Sequence, residues 1–190
     1  MDEKTRCKHT EFFKTKKEIE EASCVLFKKW ESRGIKVTHV RLDGAGENRV
    51  LQQRSDSVDW QLGIKFEYTA RSTPQQNSLA EVGFATLTNR TRAMVYRANI
   101  PNKLKHRVYK SAAEYATDMD GLMLVEINGV IKTRFEHFLG EFPQFAKHLR
   151  TWGEAGVVKL KNATSLKMNM KDIACMFAGY AKQNLSLIHI

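Results

Sequence analysis

Three cysteines in 190 residues, Cys7, Cys24 and Cys175, are odd in number and far apart. They lack any paired spacing, which argues against a disulfide framework and a zinc knuckle and fits a reducing intracellular setting, nucleus or cytoplasm. The six histidines are equally scattered and form no ligand pair of metal-binding spacing. No apolar run reaches the roughly 18 residues of a membrane span, and Met1-Asp2-Glu3-Lys4 lacks the apolar region of a secretory signal. No membrane partner is therefore expected. A GxSxG elbow is absent and no cysteine sits in a nucleophile setting, so serine and cysteine hydrolases are disfavoured. Gly44-Ala45-Gly46 lacks the Lys and Ser or Thr of a phosphate-cradling loop and reads as a turn.

Acids are the scarce charge: 21 Asp and Glu stand against 31 Lys and Arg, for a net charge of +10. Such a surface attracts polyanions and releases their counterions. At 42% hydrophobic and 27% charged residues, the composition is that of a globular chain able to bury one domain plus an appendage.

Periodicity predicts a strand over Cys7–Lys14 and a helix over Lys17–Arg33, with Ile19, Ala22, Leu26 and Trp30 on one face and Gly34 as its stop. Ile35–Leu42 reads as a strand buried on both faces, so that Asp43 emerges at its carboxyl end, where α/β sheets place their ligands. A short helix around Val50–Leu62, a strand over Ile64–Ala70 and a polar loop follow. The next helix carries Glu81 to about Asn99 and is expected to bury Leu79, Val82, Leu87 and Met94. Pro101 breaks it, and Lys103–Ala116 continues with Leu104, Val108, Ala112 and Tyr115 inward. Asn128-Gly129 between two apolar runs signals a hairpin. Pro143 opens a short helix with Phe145, Leu149 and Trp152 inward, and Val158–Leu160 is expected to pair with Ala174–Ala181 across a polar loop.

Asp43 at a strand end and Glu81 in the first turn of a helix are the acids of greatest interest. Carboxylate oxygens are hard ligands suited to Mg2+ or Mn2+, which take their other ligands from water and substrate phosphates. The same residues also suit plainer roles, Asp43 capping a turn and Glu81 favouring a helix N-terminus. Arg71, Arg90 and Arg92 are candidate phosphate contacts or solvated cations. Gln76 and Asn77 are amides that suit either a DNA end or turn chemistry.

Three blocks in register carry a resemblance: Val40-Arg41-Leu42-Asp43-Gly44-Ala45-Gly46-Glu47-Asn48, Gly63-Ile64-Lys65-Phe66-Glu67-Tyr68-Thr69-Ala70 and Thr73-Pro74-Gln75-Gln76-Asn77-Ser78-Leu79-Ala80-Glu81. In order and spacing they resemble the catalytic core of copia-type retrotransposon integrases, a part of the Pol polyprotein. Weaker likeness continues through Phe12–Lys16, His148–Gly153 and Met176–Tyr180. The resemblance implies an α/β, RNase H-like core of the retroviral integrase type. Such a core joins transposon cDNA ends to target DNA through two aspartates and a glutamate that hold Mg2+ or Mn2+. Asp43 matches the second aspartate and Glu81 the glutamate, whereas the first aspartate would lie on a strand preceding Met1. Gly44, Ser78 and Val82-Gly83-Phe84-Ala85 depart from the family pattern.

The resemblance further implies a partial catalytic core over 1–120 that lacks its first strand and a small α+β or β appendage over 121–184. Residues 185–190 read as a tail outside the native frame, to which no function is assigned. In the parent the expected activity is metal-dependent DNA strand transfer, and self-association is compatible with it. This segment is expected to be inactive alone. The alternative is a nucleic-acid-binding remnant without catalysis.

Overall fold

The computed structural model describes residues 1–43, 46–69, 78–159, 172–180 and 187–189. It divides into two compact units, residues 11–84 with Met1 and Glu3, and residues 85–190 with Asp2 and 4–10. No helix of the described residues is long and apolar enough to cross a membrane.

In the first unit, α1 (Glu18–Glu31) places Glu18, Glu20 and Glu21 in its first turn and Lys28 and Lys29 in its last, so both ends complement the helix dipole. Gly34 takes φ +79° just beyond it, and the Ile35 amide returns to the Trp30 carbonyl, as anticipated for a glycine stop. Strand β1 (His39–Leu42) pairs in parallel with β2 (Lys65–Tyr68) in the register His39 to Lys65 through Leu42 to Tyr68. Helix α2 (Gly46–Ser55) lies between them in sequence. Cys24, Leu51, Leu62 and Ile64 form the buried centre, with Phe27, Val37, Val40, Leu42, Trp60 and Phe66 packed around it.

Two expectations fail in this unit. β1 is not buried on both faces, because His39 and Arg41 are exposed and only Val40 and Leu42 turn toward the small core. Glu81 does begin a helix, α3 (Ser78–Arg97), but Leu79 and Val82 stay 42% and 64% exposed. Burial on α3 follows Gly83, Leu87, Thr91 and Val95, spaced four apart, and the helix's first turn extends beyond the surface that covers this stripe.

The strand anticipated over Cys7–Lys14 does not form. In the second unit, residues 4–10 are held by side chains instead of a ladder: Cys7 is buried, Lys8 Nζ reaches Asp120 at 2.6 Å and Thr10 shares a 2.7 Å hydroxyl contact with Thr117. A 3-10 turn at Asn102–Leu104 precedes α4 (Lys105–Gly121). Val108, Ala112 and Tyr115 face inward as expected, whereas Leu104 sits at the exposed start. β3 (Leu124–Ile127) and β4 (Val130–Thr133) form the antiparallel hairpin, with Asn128 at φ +54° and Gly129 at φ +77°, the pair of positive angles that a two-residue turn requires.

Helix α5 (Arg134–Leu139) was not anticipated, although Thr133-Arg134-Phe135-Glu136 spells a capping box. The Glu136 amide donates to Thr133 Oγ1 at 3.1 Å and the Thr133 amide to Glu136 Oε2 at 3.0 Å. After Pro143 only a 3-10 turn (Gln144–His148) forms, leaving Leu149 exposed and Trp152 buried. β5 (Ala155–Lys159) pairs with β6 (Asp172–Tyr180) as expected, and β7 (Leu187–His189), from the tail, adds to the other edge of β6. Of the polar loop expected over Asn162–Asp172, Asp172 instead opens β6, and residues 162–171 lie outside the described residues, as do Leu160 and Ala181.

The larger core joins Val95, Val108, Ala112, Tyr115, Trp152 and Phe177. Trp152 Nε1 donates to the Ala178 carbonyl at 3.1 Å, satisfying the indole as it is buried. Gly153 beside it has φ +83°, and a Cβ there would stand 2.3 Å from Ala98 Cβ. Gly153→Ala should therefore combine left-handed strain with overpacking and cost about 3 kcal/mol. Urea denaturation measures this, and a loss no larger than that of Gly156→Ala, where the nearest atom is 4.0 Å away, would contradict it.

Candidate functional site

β1 and β2 run in parallel, so their carboxyl ends lie side by side, and Asp43 follows directly on Leu42. The Thr69 amide donates to the Leu42 carbonyl at 2.9 Å and carries the pairing to the residue beside Asp43. Asn48, in the first turns of α2, donates its side-chain amide to Asp43 Oδ1 at 2.5 Å and to the Asp43 carbonyl at 3.2 Å. Tyr68, at the end of β2, donates its hydroxyl to Gln52 Oε1 at 2.8 Å and to the Asn48 carbonyl at 3.2 Å. One strand end and one helix start are thereby tied around an exposed carboxylate. The relevant sequence is Asp43 followed five residues later by Asn48, a local pairing that the resemblance blocks contain but whose contact periodicity does not reveal.

Glu81 stands exposed in the first turn of α3, where a negative side chain favours the helix dipole. Arg71, Gln76 and Asn77 lie outside the described residues. The donor chemistry of Asp43 and Glu81 suits a hard divalent cation. Their number does not: no group of three His, Cys, Asp or Glu residues that could hold a metal gathers among the described residues. One oxygen of Asp43 is already engaged by Asn48. Two acids alone do not complete a Mg2+ site.

The arginines on α3 part company in the second unit. Arg92 is exposed, as a phosphate contact requires. Arg90 instead directs Nη1 to Asp120 Oδ1 at 2.6 Å and Nη2 to Met123 Sδ at 3.1 Å. Asp120, only 2% exposed, also receives Lys8 Nζ at 2.6 Å and Arg134 Nη1. Burial alone would push its pKa up, but the hydrogen bonds and charges of Lys8 and Arg134 outweigh this and hold it below the ordinary Asp range. This cluster ties the N-terminal segment, α3, α4 and α5 of the second unit together. Sequence reasoning overlooked it, although one signal was present: Asp120 continues the four-residue spacing of buried Ala112 and Ala116, placing an acid on an apolar stripe.

All three cysteines are free. Burial, with Asp2 adding repulsion, pushes the Cys7 thiol up to about 11, so it is protonated and unreactive at neutral pH.

No protein-family profile matches the chain. It is similar to the retrovirus-related Pol polyprotein from transposon TNT 1-94 of tobacco (Nicotiana tabacum), with 26% identity over 153 residues. That alignment covers 79% of this chain and 11% of the tobacco protein, so the chain spans about a tenth of that relative's length.

Proposed function

We propose that this chain is a segment of a retrotransposon Pol polyprotein drawn from its integrase core, and that the longer protein joins DNA ends to a target by metal-dependent strand transfer. The similarity to the tobacco Pol polyprotein over 79% of the chain carries the proposal. Two further observations support it: Asp43 at the carboxyl end of a parallel strand and Glu81 opening a helix, the two placements that the motif blocks imply.

In this reading Asp43 and Glu81 hold Mg2+ or Mn2+ together with a third acid of the longer protein, and the segment alone does no chemistry. With that third acid in place, Asp43 and Glu81 would hold the cation, which would supply Lewis-acid chemistry at phosphate oxygens. Gln76 and Asn77 position the DNA end, and Arg71 and Arg92 contact backbone phosphate without reading sequence. The RNase H-like fold is part of the proposal. It is supported by the two-stranded parallel sheet β1–β2, since parallel strands ordinarily belong to wider sheets covered on both faces.

The test is strand transfer on DNA by a longer protein that includes a third acid. Glu81→Gln should abolish product formation while leaving folding intact, because the side chain is exposed. Equal activity in both proteins would remove Glu81 from the site. The second reading, a nucleic-acid-binding remnant, draws on the net charge of +10. It requires salt-dependent DNA binding by the chain with no strand transfer from any extended form.

A further inference from the structure

We infer that Lys8, Arg90 and Arg134, gathered around Asp120, form a binding site for a phosphate-type oxyanion. Three cations converge on one carboxylate at hydrogen-bond distance, leaving a formal excess of two positive charges in a largely buried place. Asp2 Oδ2 accepts from the Thr5 amide and hydroxyl at 2.7 Å each. Two arginines and a lysine carry about thirteen N–H donors, against about four lone-pair sites on a carboxylate.

The surplus is visible atom by atom. Arg134 Nε is buried with no hydrogen-bond partner among the described residues. Arg90 Nη2 meets the thioether of Met123, a weak acceptor, at 3.1 Å. Solvent reaches the cluster on this side, since the Arg90 side chain is 34% exposed and Met123 41%. An oxyanion arriving there replaces the sulfur at Nη2 with a charge-assisted bond and offsets the excess charge, with Lys8 and Arg134 behind it. The planar guanidinium fork favours a tetrahedral oxyanion over a halide. Free phosphate and a nucleic-acid phosphodiester present the same chemistry.

Thermal unfolding of the full chain in inorganic phosphate or in chloride at equal ionic strength tests the site. Phosphate should raise the midpoint by about 3 °C over chloride at saturation. Arg107→Gln, at an exposed arginine of α4 outside the cluster, should keep that increment and Arg90→Gln should lose it. Should Arg90→Gln fail to fold, Met123→Leu removes the sulfur without touching charge, and it should keep or enlarge the increment. Equal midpoints in the two salts, equal losses in both arginine variants, or loss of the increment in Met123→Leu would overturn the site. Binding to a DNA duplex identifies the source. If the ligand is a backbone phosphate, Arg90→Gln lowers the salt slope by about one. If the ligand is free phosphate, the slope is unchanged while the phosphate increment is lost. Neither result depends on strand transfer, so the site and the integrase reading stand or fall separately.

Discussion

Asp120→Asn is expected to remove about 3–5 kcal/mol of stability, because it leaves Lys8, Arg90 and Arg134 facing each other without their shared anion. The substitution preserves shape, so the loss isolates charge. Lys8→Met should cost less, since Asp120 would still hold two arginines. Chemical denaturation of the three proteins gives the comparison, and a cost below about 1 kcal/mol for Asp120→Asn would place the cluster among ion pairs of negligible worth.

The same group sets an acid limb. The pKa of Asp120 is lowered from the ordinary 3.8 in the folded chain, so its contribution is present above that value and lost as pH falls through the folded one. The stability difference between the wild-type chain and Asp120→Asn should therefore hold near neutrality and shrink on acidification below pH 3.8. A difference that grew on acidification would reverse the sign of the assigned shift.

On the integrase reading proposed above, Asp43→Asn in the longer protein should lower strand transfer by more than about a hundredfold. Loss of a group that merely orients a metal ligand costs about 10–100-fold, and loss of the ligand's charge should exceed that. Stability should change by less than about 0.5 kcal/mol, because Asp43 is exposed and the amide oxygen introduced can still accept from Asn48. DNA affinity in magnesium-free buffer should stay unchanged, since no phosphate contact is removed. Retained strand transfer, or a parallel fall in activity and stability, would take Asp43 out of the metal site.

Local signals in the sequence were reliable where one stretch of chain decides the outcome. The Gly34 stop, the Asn128-Gly129 hairpin and the Glu81 helix all formed as read, since dihedral preference and helical period act over a few residues. The capping box of Thr133 and Glu136 is equally local and equally legible. Burial on the first turn of α3 was not legible, because periodicity specifies a face without specifying how far the covering surface extends. The segment over residues 7–14 shows a related limit: its apolar and polar residues suited a strand, yet no described neighbour supplies a ladder, and Lys8 and Thr10 bond to α4 instead.

What the sequence by itself determined is the pair of acids, Asp43 and Glu81, each placed at an element end by short-range pattern, and a cationic surface that follows from composition. Tertiary structure alone decided that Arg90 turns to Asp120 and not wholly to solvent, and that Lys8, 112 positions before Asp120, meets the same carboxylate. A buried charge recruits whatever counter-charges the fold brings within reach, and that distance is unrelated to separation along the chain.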